Sequence, residues 1–226
     1  MRDIDRIDLI ESVRREAGRL LYQGEEGSLV YLPSGNTVLS DIADGRRLCA
    51  LVREFGLTDA ELFEVKHETA AAALPELRPF PYRMDCDQWV YVAQTPPPRR
   101  GADIRPLTRE WLPLAAQHYS VVDDPAAYLE GCLMRGRLWG LFEGEDLAGF
   151  IGTHPEGSMG LLEIFPAYRR KGYGYELEAF LVEWLLCEGF VPYCHVARDN
   201  AASIALQQKL GLTRAALPAL WVYGHI

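Results

Sequence analysis

The sequence predicts a mixed α/β protein with two units, on three observations. Short apolar runs of four to six residues alternate with stretches whose apolar residues recur at spacings of three and four. One such run, Leu161 to Phe165, passes through three cations and two glycines into a long amphipathic helical pattern. A stiff segment, Thr95-Pro96-Pro97-Pro98-Arg99-Arg100-Gly101, interrupts both patterns once, because prolines cannot continue a strand ladder. These mark residues 1–95 as a small N-terminal α/β domain, 96–101 as a Pro-rich linker and 102–226 as a second domain.

Ile4, Ile7, Ile10 (or Leu9), Val13, Ala17 and Leu20 are spaced for a first amphipathic helix. Residues 28–32 and 37–40 read as strands, with Pro33-Ser34-Gly35-Asn36 as the turn between them. Arg46 to Glu54 is helical, with Leu48, Leu51, Val52 and Phe55 inward and Gly56 closing it. Residues 61–66 alternate like a strand, 67–74 form an alanine-rich helix stopped by Pro75, and 89–93 form another strand. His67 beside Glu64 or Glu68 reads as a surface histidine among surface carboxylates.

In the second unit, 102–107 is a strand and Thr108 a helix N-cap. Trp111, Leu114, Ala115 and His118 share a helical face, and 125–134 is a second helix. Strands at 138–142 and 147–153 are joined by the hairpin Glu143-Gly144-Glu145-Asp146. The strand 161–165 and the long helix follow. A strand at 192–197, a helix at 200–210 closed by Gly211, and a strand at 221–223 end the order.

The chain of 226 residues is 49% hydrophobic, long enough and apolar enough to bury a core. A net charge of −9 argues against nucleic acid as a partner and weakly favours cationic substrates such as amines. No apolar run has the length of a membrane span, and the first six residues alternate charges without the apolar centre of a signal peptide, so a cytoplasmic location is expected. Five scattered cysteines without C-x-x-C read as buried free thiols, and no histidine–cysteine spacing supports a metal site.

The stretch Arg169-Arg170-Lys171-Gly172-Tyr173-Gly174 supplies charge, glycines for close backbone approach and a helix N-terminus: a pyrophosphate site. It is neither G-x-x-x-x-G-K-[ST] nor G-x-G-x-x-G. As R-x-x-G-x-G it resembles the acetyl-CoA loop of the GCN5-related N-acetyltransferases, the GNAT superfamily. Asn200 to Leu212 resembles that family's N-x-x-[AS]-x-x-L-Y-x-x-x-G-F segment, and Pro192-Tyr193-Cys194-His195-Val196, followed by Asn200 and Ser203, is similar to its FR47-like, glycine N-acyltransferase-like branch. The resemblance implies a GNAT fold over 102–226: a mixed, mostly antiparallel sheet flanked by helices. The N-terminal domain would be a degenerate GNAT-like half. It also implies acetyl-CoA as co-substrate, with no metal. Its cofactor-binding residues would be Ile164, Phe165, Arg169, Arg170, Lys171, Gly172, Tyr173, Gly174, Asn200 and Ser203. The carbonyls of Ile164 and Phe165 would pair with pantetheine in a splay between two central strands, and an N–H near Phe165 would meet the thioester oxygen.

Acyl transfer to an amine needs a base. His195, on the strand beside the splay, is the first candidate because histidine changes charge nearest neutrality; a structural core histidine is the competing reading. Glu163, on the same face of its strand as Phe165 and opposite Ile164, is the second. His154 and Glu156 are weaker candidates. Gln207 replaces the tyrosine that usually protonates the departing thiolate, and Tyr193 or Tyr223 would have to stand in. Cys194 reads as a buried thiol. The expected function is N-acyl transfer from CoA to a small-molecule amine by direct attack in a ternary complex. The alternatives are a non-catalytic acyl-CoA-binding sensor and a scaffold protein, with a homodimer through a sheet edge left open.

Overall fold

Two sheets meet along one unpaired seam in the computed structural model, which describes residues 3–224. Residues 1–2 of the N-terminal charged stretch and 225–226 of the second unit lie outside the described residues.

In the N-terminal half, a 3-10 turn at Asp3–Arg6 leads into α1 (Ile7–Arg14). Then come β1 (Arg19–Gly24), β2 (Gly27–Leu32), β3 (Thr37–Ser40), α2 (Gly45–Glu54), β4 (Leu62–Val65), α3 (Glu68–Ala73) and β5 (Tyr82–Val90). The C-terminal half runs β6 (Asp103–Pro106), α4 (Leu112–His118), α5 (Pro125–Met134), β7 (Leu138–Glu143), β8 (Asp146–Thr153) and β9 (Met159–Ile164). It closes with α6 (Tyr173–Cys187), β10 (Tyr193–Ala197), α7 (Ala201–Leu210) and β11 (Thr213–Tyr223).

One sheet has the order β6-β7-β8-β9, the other β1-β2-β3-β4-β11-β5-β10. Every pair is antiparallel except β3–β4. The mixed, mostly antiparallel α/β class is therefore as expected. The linker divides the chain but not the sheet, since β10 and β11 both pair with β5. Nor is the linker a free spacer. Arg99 pairs with Glu183 of α6 at 2.8 Å, and the Arg100 N–H donates to Glu176 at 3.0 Å.

Helix α6 packs Leu177, Leu181 and Leu185, all fully buried, against Trp139, Ile151, Cys194 and Val196. Each such side chain contributes about 1.5–3 kcal/mol relative to exposure. The opposite face of the β6-β7-β8-β9 sheet is covered by α4 and α5 over Phe150, Leu161 and Phe165. In the N-terminal half, α2 and α3 cover Val38, Phe63, Val65, Leu220 and Val222. Among the described residues no helix is long and apolar enough to cross a membrane.

Several expectations are corrected. The first helix stops at Arg14, and Leu20 belongs to β1, a largely exposed strand whose pattern lacks alternation. Helix α1 also buries Asp8, Glu11 and Ser12. Strand β5 starts at Tyr82 and β11 at Thr213, well before the expected 89 and 221, because each is extended by pairing with the other across a bulge at Arg214/Pro218. Thr108 precedes a 3-10 turn without capping it; its hydroxyl donates to Glu110. Cys187 is exposed while the other four thiols are buried. Glu64 is a fully buried carboxylate, not a surface one.

Candidate active site

The seam lies between β9 and β10, which run side by side without a ladder. A bulge in β9 opposite Phe150–Gly152 puts Leu161 at φ 59, a conformation costly for a branched side chain. The Phe165 N–H donates to the Ala148 carbonyl on β8 at 3.0 Å. Main-chain groups alternate along a strand, so those of Ile164 face the seam. The Ile164 carbonyl accepts from Arg169 Nε at 3.0 Å, and the Phe165 carbonyl accepts from the Tyr168 N–H at 2.8 Å. Of the two strand-end residues, Ile164 is therefore the one presented to the open edge, and the Phe165 amide is already engaged.

Beyond Phe165, a 3-10 turn at Pro166–Tyr168 leads to the cation–glycine loop and the N-terminus of α6. Arg169, Arg170 and Lys171 are exposed. Lys171 Nζ pairs with Glu143 at 2.8 Å, and Tyr173 donates to the same carboxylate at 2.6 Å. Gly172 sits at φ 85 and Arg170 at φ 64, so the loop turns through the left-handed region twice. Gly174 has ordinary φ, and a Cβ there would approach Leu206, Ile164 and Leu162 no closer than 3.8 Å. Its lack of a side chain leaves room between β9 and α7. Arg100 from the linker reaches this loop, with Nη1 3.8 Å from where a Gly172 Cβ would stand. Sequence reasoning passed over Arg100; its signal was the Arg99-Arg100 pair closing the proline run.

Asn200 caps α7, its side-chain oxygen accepting from the Ser203 N–H at 3.1 Å. Gln207, about two turns further along α7, is buried beside Glu178 of α6. One oxygen of each, Glu178 Oε2 and Gln207 Oε1, has no hydrogen-bond partner among the described residues. Burial pushes the Glu178 carboxyl up to about 7.

Glu163 and His195 do not meet in one hydrogen-bonded pair. Glu163 is half-buried on the α4/α5 side of β9, without a hydrogen bond or ion pair among the described residues. Burial raises its carboxyl above the ordinary range, against the pull of Arg169 and His118. His118 itself stacks on Phe165, with ring centroids 4.1 Å apart.

His195 is locked in a buried network. Its Nδ1 accepts from Trp221 Nε1 at 3.2 Å, and its Nε2 faces Gln88 Oε1 at 3.0 Å and Asp8 Oδ2 at 3.4 Å. Lys66 Nζ joins the network, bonded to Asp8, to Glu64 at 2.8 Å and to Gln88 at 3.0 Å. Asp8, Glu64 and His195 are spaced as metal ligands would be, but the Lys66 ammonium already stands among them as the balancing cation. Asp8 is held well below the usual carboxylate range by Lys66 and His195 against its own burial, while burial and then Asp8 raise Glu64 well above it.

Of the weaker candidates, His154 is half-buried, with Nδ1 2.6 Å from the Tyr128 hydroxyl, and desolvation lowers its pKa. The Tyr193 hydroxyl donates to the Glu156 carbonyl at 2.9 Å. Cys194 is buried and its thiol is pushed well up, which leaves it unreactive as a nucleophile.

Comparison with known proteins agrees with this geometry. The model of the acetyltransferase (GNAT) family matches residues 102–212. No curated protein matches the sequence. A Drosophila protein of known structure shares 14% identity at a TM-score of 0.65, over 97% of this chain and 87% of its own. A structure described as a GNAT-family acetyltransferase from Novosphingobium aromaticivorans shares 16% identity at 0.62, over 99% of both chains. A tandem GNAT protein from the clavulanic acid biosynthesis pathway shares 17% identity at 0.51, over 96% of this chain and 86% of its own. At these identities the likeness is one of fold. The domain at residues 102–212 is thus the part of the chain that matches the GNAT acetyltransferase family.

Proposed function

We propose that this protein is an N-acyltransferase that moves an acyl group, acetyl in the simplest case, from CoA to the amine of a small molecule. The observation that carries the reading is the seam itself. An unpaired edge of β9 runs into three cations and a left-handed glycine at the start of α6. Unpaired N–H groups and the positive end of a helix favour a pyrophosphate there. Arg169, Arg170, Lys171, Gly172, Tyr173 and Gly174 would hold it, with Arg100 as a further cation. Ile164 would pair with the pantetheine arm as a strand would, and its N–H is the donor we assign to the oxyanion. Asn200 spends its side-chain oxygen on the cap and keeps its amide N–H groups for the ligand.

Attack by a neutral amine on the thioester carbon forms the amide and breaks the C–S bond, and the amine's proton must be taken up. We assign that role to Glu163, whose carboxylate has no competing partner and shares a face with Phe165. His195 is the second candidate, but with both ring nitrogens engaged it holds β10 to α1 and β11. The thiolate leaves with a proton from water, since Gln207 cannot supply one. Gln207 also favours a second reading, a non-catalytic acyl-CoA-binding protein.

Calorimetric titration of acetyl-CoA into the wild type and Gly172→Glu tests both. Micromolar binding lost in the variant, with turnover of some amine, supports the enzyme. Binding without turnover across an amine panel supports the sensor. No binding of acetyl-CoA or longer acyl-CoAs sinks both readings. A light-scattering mass decides the homodimer.

A further inference from the structure

We propose that Glu178 of α6 and Gln207 of α7 hold the water that protonates the departing CoA thiolate, with Glu178 as the positioning residue that resupplies the proton. The inference rests on the acyl-transfer reading above and deepens it at the leaving group.

Position ties the pair to the seam. A Cβ on Gly174, in the first turn of α6, would stand 3.8 Å from Leu206 of α7, 3.9 Å from Ile164 and 4.0 Å from Leu162 of β9. Glu178 lies four residues on, one turn and about 5.4 Å further along the same face of α6. There it meets Gln207, the residue after Leu206, and Cys194 of β10, whose thiol is raised by burial and then by Glu178. The pair therefore stands over the α6 side of the seam, beside β10, one turn inward from the proposed phosphate loop. A pantetheine arm leaving that loop along Ile164 runs toward it. Glu163, the base assigned above, lies on the α4/α5 side of β9. The two proton transfers are thus divided between the two faces of the seam.

The chemistry of the pair suits a bound water. Glu178 is 4% exposed and Gln207 3%, and Glu178 Oε2 and Gln207 Oε1 have no hydrogen-bond partner among the described residues. Two orphaned oxygens in a dry site are costly, and a buried water with two to four polar partners relieves such groups. The water accepts from the Glu178 carboxylic acid, donates to Gln207 Oε1 and has its second hydrogen for sulfur. As the C–S bond breaks, its electron pair passes to sulfur, the water gives sulfur a proton, and the Glu178 O–H replaces the proton lost. CoA leaves as the thiol and Glu178 is left as a carboxylate, which solvent reprotonates once the site opens. Burial keeps the Glu178 carboxyl near 7, so the acid form is populated close to neutrality. Other titratable groups on the packed elements are engaged elsewhere. Glu176 and Glu183 of α6 bond the linker at Arg100 and Arg99. Lys209 of α7 lies 5.2 Å from the Tyr175 ring centroid, and Asp87 of β5 pairs with Arg214 of β11 at 2.8 Å. Only burial and a hydrogen bond from Gln207 shift the Glu178 carboxyl.

The test is the pH profile of kcat for the intact protein with acetyl-CoA and an amine that it turns over. The acid must be protonated to act, so wild-type kcat should fall as pH rises through about 7. Glu178→Gln should remove that descending limb and lower kcat at pH 6 by about 10- to 100-fold, the low end of acid–base contributions because a thiolate is a tolerable leaving group. Its calorimetric affinity for acetyl-CoA should stay within a few-fold of wild type, which also shows that the fold survives. Gln207→Leu removes the hydrogen bond that pulls this carboxyl down, so it should keep the limb and move it to higher pH. Glu178→Gln with wild-type kcat and an unchanged limb would overturn the assignment and leave acyl transfer standing. Loss of acetyl-CoA affinity with the limb retained would make Glu178 a structural support and overturn it as well. Acetyl-CoA binding without turnover of any amine would overturn the proton role and leave the sensor reading, and no binding by the wild type would overturn both.

Discussion

Trp221 donates its indole N–H to Nδ1 of His195 at 3.2 Å. In the neutral ring that bond leaves the hydrogen on Nε2, which points at Gln88 Oε1, 3.0 Å away. The histidine thus joins β11, β10 and β5, the strands by which the two halves of the chain share one sheet. Replacing it orphans the Trp221 N–H and takes one of two donors from the buried Gln88 oxygen, which keeps Lys66. We expect His195→Ala to lower stability by about 1–3 kcal/mol, read by urea unfolding, with acetyl-CoA affinity kept in the folded fraction. Full stability with abolished turnover would return the histidine to the role of base.

Lys66 is the heavier member of the same network. Its ammonium, fully buried, is the only cation within ion-pair distance of both Asp8 and Glu64 among the described residues. Removing one partner of a buried ion pair typically costs about 3–5 kcal/mol, because the other is left charged and dry. Lys66→Met should therefore be among the most destabilising single changes in the chain. Restoring neutrality with Asp8→Asn in the same protein should recover part of the loss, and additive losses in the double variant would count against the network.

Local signals made the second half of the chain readable, and the reason is physical. The 161–165 run, the cation–glycine loop and the α6 face are contiguous, so charge, glycine placement and helical spacing appear together in one stretch. The Leu161 bulge is a pairing irregularity with β8 and leaves no compositional trace. The extents of β5 and β11 depend on each other across some 130 residues, and neither shows alternation strong enough to reveal the pairing. The Asp8–Glu64–Lys66–His195 network draws on α1, β4, β10 and the residue after β4. Read singly, Glu64 is an ordinary surface carboxylate and His195 an ordinary candidate base.

Glu163 carries the next prediction. A base must be ionised to work, and burial raises this carboxyl above its ordinary value. Turnover at saturating amine and acetyl-CoA should therefore rise with pH through a limb lying above the usual carboxylate range. Glu163→Gln should lower kcat by about 10²–10⁴-fold, abolish that limb and leave acetyl-CoA affinity within a few-fold. A variant that keeps the limb would move the base elsewhere, with His195 next in line.

Glu178 gives a stability signature independent of turnover. Its folded carboxyl stands at about 7 against an ordinary 4.5, raised by burial against the help of Gln207. Between those two values the folded protein holds a proton that the unfolded chain has released. The group's contribution is thus fully present below pH 4.5, is lost as pH rises toward 7, and is flat beyond. A shift of this size corresponds to on the order of 3 kcal/mol. Glu178→Gln keeps the shape and the hydrogen-bonding amide but has no charge to desolvate. Its stability relative to wild type should climb by about that amount between pH 5 and pH 8, measured by urea unfolding in matched salt. A constant difference across that range would mean that the Glu178–Gln207 site admits enough water to hold the carboxylate, and the space between α6 and α7 would then be open to solvent rather than closed.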